Sequence, residues 1–365
     1  MAEAALRFMR LYARGFRNLE RLDLEPGPRF NVLSGDNGAG KSNLLEALYL
    51  LGVGRSFRGA AKADMVRLDE DEATLEALLD SGTAPRRLGL RLPRRGSRRL
   101  LLDGKRPRSL AVWHAAVQVV LFHPGHLALS TGGSELRRAF LDRMLEQMSP
   151  SYASNLSCYT RALKSRNRLL KDETPDGRAL LAYAEILARE GAELVRERAT
   201  LVEELHPKAE RAFEEISGAA TKLELRYLPR VEGGEEQLRE AIAASLSEDL
   251  RRGYTTQGPH LDDVTFTVSQ VSARHYASQG QHRALVLSLK VAELDTLTKR
   301  VGRTPILLLD DVSSELDRSK SRRLFSLLAR LGGQIFLTTT HPEFILLDEH
   351  RVDFEVKEGR VTPAR

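Results

Sequence analysis

The chain has 365 residues, 42% of them hydrophobic, with a formal net charge of +6 and a pI near 9.4. That length supports two or three domains with sizeable cores, and the basic balance favours an acidic partner such as nucleic acid. One cysteine, Cys158, excludes an internal disulfide and a multi-cysteine zinc site; no stretch reaches the ~18 apolar residues of a membrane span and no signal-peptide pattern opens the chain, so a cytoplasmic protein without a membrane partner is expected.

The first third reads as strands and turns. Arg7–Tyr12 and Leu22–Leu24 are short strand candidates, Pro26–Pro28 a turn, and Phe30–Ser34 an apolar strand. The Leu- and Glu-rich segment after Lys41 predicts a helix to about Leu51. Between Arg86 and Arg108 stand ten Arg or Lys and one acid, Asp103. Leu88, Leu90 and Leu92 alternate there, and Asp103-Gly104 predicts a hairpin turn. From Ser134 to about Gly218 the composition turns helical. Pro150 and Pro175 separate helices, Pro207 is expected to kink or split the last, and Leu180, Leu187, Leu194 and Leu201 are spaced by sevens. The partner positions Ala184, Gly191 and Arg198 argue against a long two-stranded rod. The last third returns to strands: Val264–Val268 alternates, Pro305–Leu309 and Gln334–Thr338 are apolar runs, and Val352–Val356 with Arg360–Thr362 form a terminal hairpin around Glu358-Gly359. Buried strands alternating with helices predict a mostly parallel α/β sheet, residues 1–125 and 250–365, interrupted by a mainly helical insertion, residues 126–249.

Three motifs carry chemistry. Gly35-Asp36-Asn37-Gly38-Ala39-Gly40-Lys41-Ser42 follows a strand and opens a helix, the setting of a phosphate loop. Its glycines let backbone N–H groups converge on phosphate oxygens, and the helix N-terminus adds its positive end. Lys41 then bridges the outer phosphates and Ser42 ligates Mg²⁺. The run Ile306–Leu309 ends in Asp310 and Asp311, at the edge of the sheet where ligands sit. Asp310 is expected to hold Mg²⁺ and Asp311 to orient or deprotonate the attacking water. Ser278-Gln279-Gly280-Gln281 opens a helix. It reads as a capping box, as a second phosphate-binding helix end, or as both.

This set of motifs resembles the ABC-type ATPases. Ser314-Glu315-Leu316-Asp317 is similar to their D-loop, His341 stands where their switch histidine belongs, and Gln118, on the apolar strand before Leu121–Pro124, is the candidate Q-loop glutamine. Within the class the chain resembles the RecF family from end to end: Gly15–Asn18, Gly35–Glu46 (through Asn43), Gly54–Arg58, Leu136–Asp142, Gly258–Asp263, Ala277–Arg283 and Ser313–Asp317 are similar to its blocks. Leu261 replaces the family's arginine. The resemblance implies an ABC-type ATPase head with a mixed sheet around a P-loop, plus an inserted α-helical subdomain with a short coiled-coil-like arm. It implies a homodimer closed by two ATP molecules with Mg²⁺, in which Ser278–Gln281 meets the partner's nucleotide. It further implies binding of double-stranded DNA near single-strand junctions and RecA loading with RecR and RecO. Aspartate at 311, one methylene shorter than the glutamate usual in transporter-type members, predicts slow, DNA-stimulated hydrolysis. Arg86, Arg87, Arg94, Arg95, Arg98 and Arg99 are the candidate DNA contacts; the alternative for them is a solvated basic face. The competing reading is an SMC-type chromosome-organising head, which needs a long coiled coil where this chain has a short helical middle.

Overall fold

Two sheets organise the first of two compact units, which comprises residues 1–127, 212–220 and 283–365. The computed structural model describes residues 4–82, 84–218, 221–311, 318–345, 347 and 350–364. The larger sheet has six strands in the order Arg360–Pro363, Arg351–Lys357, Phe30–Ser34, Ile335–Thr339, Ile306–Leu309, Val119–Phe122. All neighbours are parallel except the terminal hairpin. Ile306–Leu309 and the edge strand Val119–Phe122 are apolar throughout, and every residue of both is buried.

The second sheet is an antiparallel meander of five strands, in the order Leu19–Leu24, Arg7–Phe16, Glu72–Asp80, Arg86–Pro93, Arg99–Leu102. Leu88, Leu90 and Leu92 face inward while Arg87 and Arg91 on the same strand are exposed, the alternation of a sheet solvated on one side. The hairpin turn falls at Asp103-Gly104, both at positive φ, 52° and 79°. The helix Lys41–Val53 belongs to a core cluster that draws residues from both sheets.

The second unit comprises residues 128–211 and 221–282. Its helices include Ser134–Met148 and Pro150–Leu169, with Ser149 capping the latter through Tyr152 N–H. Leu180, Leu187, Leu194 and Leu201 are all buried, so the seven-residue spacing serves packing. Pro207 does not split its helix, which runs unbroken from Gly177 to Ser217. The boundary expected at residue 250 also moves. Asp263–Val268 pairs antiparallel with Leu223–Leu228, and this pairing draws the stretch up to His282 into the helical unit.

Candidate nucleotide-binding site

The phosphate loop leaves Phe30–Ser34 at its C-terminal end and enters the helix Lys41–Val53 at Gly40, whose φ of 118° is open to glycine. Gly35 has φ 151°, and a Cβ there would lie 2.2 Å from the Val356 carbonyl oxygen. The loop is therefore pressed against the terminal hairpin. Lys41 Nζ donates back to the carbonyls of Gly35 at 2.6 Å and Asp36 at 2.9 Å. Burial lowers the Lys41 pKa from its ordinary value, opposed by Asp311, Asp310 and Asp36.

The strand Ile306–Leu309 delivers Asp310 to the same place. Ser42 Oγ donates to Asp310 Oδ1 at 2.7 Å, and Thr338 Oγ1 donates to the same oxygen at 2.8 Å. Asp310 is buried, while Asp311 sits at φ 50° with its N–H donating to Thr338 Oγ1 at 2.9 Å. A cavity of about 230 Å³ lies over these groups, lined by Asn37, Gly38 and Gly40 to Asn43 together with Arg58, Asp311, Thr338 and Thr340. Hydroxyl and carboxylate oxygens are the donor set of Mg²⁺, and Ser42 keeps its lone pairs because its proton goes to Asp310.

Around this centre three sequence blocks meet on one carboxylate. Glu46 is fully buried; Arg17 grips it through Nε and a terminal nitrogen, both at 3.0 Å, and Ser56 Oγ donates to it. Arg58 approaches it to 3.6 Å and donates to Asn43 Oδ1 at 2.8 Å. Asn43 in turn donates to Asn18 Oδ1 at 2.8 Å, and Asn18 to the loop carbonyl of Ala39 at 3.2 Å. Arg58 is thereby aimed at the cavity as a second cation.

Other expected residues lie elsewhere. Gln118 precedes the strand Val119–Phe122, which runs parallel to Ile306–Leu309 with Phe122 beside Leu309. It is therefore at the opposite edge of the sheet from Asp310, about four strand residues or ~13 Å away. It is fully buried, with Nε2 donating to the His114 carbonyl. The side chain that leaves the strand at the cavity's edge of the sheet is His123, packed on Phe57 with ring centroids 4.9 Å apart. His341 is exposed, does not line the cavity, and faces Glu343 at 3.2 Å. Ser314, Glu315 and Asp317 fall outside the described residues. Ser278 and Gln281 form the reciprocal capping box, Gln281 Oε1 accepting from Ser278 N–H at 2.8 Å and Ser278 Oγ from Gln281 N–H at 3.2 Å, at the start of the helix Gln279–Val301 on which Gly280 lies.

The basic region divides in two. Arg94 donates to the carbonyls of Glu70, Val66 and Arg67, and Arg98 to that of Gly54, so both stitch loops together. Arg86 pairs with Asp103 at 2.8 Å and Arg99 with Glu72 at 3.1 Å. Arg87 and Arg95 are exposed.

The family model described as RecF/RecN/SMC N terminal domain matches residues 7–361. The DNA replication and repair protein RecF of Anaeromyxobacter sp. (strain Fw109-5) is 41% identical, over 98% of this chain and 99% of its own length. The chain belongs to the RecF family. The RecF of Myxococcus xanthus (strain DK1622) is 39% identical over 92% of this chain and 91% of its own. The solved structure of the recombination mediator protein RecF with ATP in the RecFOR pathway superposes with a TM-score of 0.90, at 31% identity, covering 99% of this chain and 100% of that one. An Smc head domain from Pyrococcus furiosus, at 14% identity with a TM-score of 0.58 over 98% of this chain and 96% of that one, shares the fold alone. The fold is thus that of an ABC-type ATPase head. Sequence reasoning missed Glu46, Arg58 and Thr338 as site residues of this RecF-family chain. Glu46 and Arg58 lie in blocks that carry the family resemblance without a local sign of their roles, and Thr338 ends an apolar run that reads only as a buried strand.

Proposed function

We propose that this chain is an ATP-switched, DNA-binding recombination mediator of the RecF type. The observation that carries the reading is the 2.7 Å contact between Ser42 and Asp310, which joins the phosphate loop to the acid-tipped strand beneath one cavity. Loop N–H groups and Lys41 take the nucleotide phosphates, and Arg58 adds charge from the side. Ser42 and Asp310 hold Mg²⁺, which supplies charge neutralisation on the phosphate oxygens. Asp311 orients and deprotonates the attacking water. The new P–O bond forms as the bond between the β–γ bridging oxygen and the γ-phosphorus breaks, giving ADP and phosphate. The carboxylate of an aspartate stands one methylene further back than that of a glutamate, so hydrolysis is slow and serves to reset the switch.

Ser278–Gln281 completes the site of a second copy, so ATP joins two chains into a homodimer. The dimer binds double-stranded DNA next to single-strand gaps and acts with RecR and RecO to load RecA; Arg87 and Arg95 supply part of the phosphate contact.

Sedimentation and DNA binding with ATP test this together. The wild-type chain dimerises with ATP and prefers gapped over blunt duplex, with affinity falling steeply as salt rises. Asp311→Asn prolongs the dimer and Lys41→Met prevents it. A persistent Asp311→Asn monomer, equal binding to both DNAs, or turnover above about 10 s⁻¹, an ordinary enzyme rate, would overturn the scheme.

A further inference from the structure

Thr338 stands on the strand Ile335–Thr339, between the phosphate-loop strand and the aspartate strand. Its hydroxyl is used twice. Oγ1 donates to Asp310 Oδ1 at 2.8 Å and accepts from the Asp311 N–H at 2.9 Å. One atom therefore contacts the residue assigned to the metal and the residue assigned to the water.

The first contact settles which carboxylate oxygen is available. Ser42 and Thr338 both donate to Oδ1, so among the described residues Oδ2 is the oxygen left for a hydrated cation. The second contact holds a strained backbone. Asp311 has φ 50°, a left-handed conformation that a non-glycine residue adopts only when its surroundings hold it there. Asp311 holds this conformation with its side chain on the cavity wall, where Thr338 and Thr340 also lie. A hydroxyl that both donates and accepts is needed: valine has the shape of threonine but can do neither, whereas serine can do both.

We propose that Thr338 is a positioning residue for the nucleotide site, one hydroxyl setting Asp310 toward Mg²⁺ and Asp311 toward water at the same time. The proposal rests on the ATP-binding reading above. Its test compares Thr338→Val and Thr338→Ser in the full chain, using a fluorescent ATP analogue titrated with and without Mg²⁺, ATP turnover, and thermal unfolding without ligand. A hydrogen bond to a charged group contributes about 1.5–3 kcal/mol, so Thr338→Val should raise the Mg²⁺ concentration for half-maximal analogue binding by about tenfold or more. Turnover at saturating Mg²⁺ should fall about tenfold through Asp311, analogue binding without Mg²⁺ should stay within about twofold, and Thr338→Ser should restore the first two readouts. A Thr338→Val chain with wild-type Mg²⁺ dependence, or a serine variant as impaired as the valine one, overturns the proposal. Loss of analogue binding in Thr338→Val without Mg²⁺, together with a collapsed melting temperature, would assign the hydroxyl to folding and likewise overturn it. Failure of the wild-type chain to bind the analogue at all would instead sink the ATP-binding reading itself.

Discussion

Glu46 shows how a single buried charge organises the neighbourhood of a phosphate site. It has no exposure, and its oxygens are shared among Arg17, Ser56 and Arg58. Replacing it with alanine leaves Arg17, whose side chain is 18% exposed, without its bidentate partner. Breaking a buried pair from one side costs about 3 kcal/mol. Glu46→Ala is therefore expected to lower the unfolding free energy by that much and to weaken nucleotide binding as Arg58 loses its bearing; chemical denaturation and an ATP-analogue titration check the two effects separately. His260 makes the pH-dependent counterpart in the second unit. Its Nε2 faces the Thr255 carbonyl at 3.0 Å, so the proton belongs there, and its Nδ1 accepts from the Tyr159 hydroxyl at 2.6 Å. Burial lowers its pKa, with Arg138 and Arg198 acting in the same direction and the Thr255 carbonyl and Asp249 opposing. The unfolded chain thus takes up the proton first. Stability from this group is whole above about pH 6.5, the ordinary histidine value, and is lost as pH falls from there through the folded value. Melting curves at about pH 7.5 and 5.5 should show a steeper drop for wild type than for His260→Gln; equal drops would remove His260 from the account.

At the scale of elements, the terminal hairpin braces the phosphate loop. Strand Arg351–Lys357 pairs with Phe30–Ser34, and the turn after it places the Gly359 N–H 2.7 Å from the Ala39 carbonyl. Gly359 has φ 78°, and a Cβ there would lie 2.0 Å from the Asn18 carbonyl oxygen. Gly359→Ala should push the turn off the loop and weaken ATP binding by about tenfold, with a smaller change in the melting temperature than a core truncation gives; wild-type affinity in that variant would show the brace to be dispensable. This dependence was not legible in the sequence, where the hairpin read only as two strands and a turn. What was legible had local causes: the apolar runs Phe30–Ser34 and Ile306–Leu309 appear as strands within a residue of their expected limits, and the loop between strand and helix has the geometry its glycines require. Gln118 misled because an apolar strand gives no sign of which end meets the ligand. The blocks at Leu136–Asp142 and Gly258–Asp263 resemble the family strongly, yet their charges are spent on partners within the second unit. Arg137 pairs with Asp263 at 2.7 Å, Arg198 with Asp142 at 2.8 Å, and Tyr227 donates to Asp262. Leu261, in the place of the family's arginine, is 40% exposed beside them.

Over the whole molecule, each unit is assembled from stretches far apart in the chain. The first takes residues 1–127 and 283–365, with the helix end 212–220, and the second fills the gaps between them. The short arm expected of the helical part is a helix of 41 residues whose heptad leucines are buried, so it has no free apolar seam for a rod. In the six-stranded sheet, the phosphate-loop strand has as its neighbours Ile335–Thr339 and Arg351–Lys357, both formed some three hundred residues later. A ribosome therefore makes the loop, its lysine and its serine long before it makes the strands that flank them. Until residues 306–339 have emerged, the loop has neither Asp310 nor Thr338, and until residue 359 has emerged it has no brace. Under the ATP-binding reading proposed above, synthesis itself delays nucleotide capture: a chain that has not yet reached residue 359 carries the phosphate-loop sequence but not the assembled, braced loop.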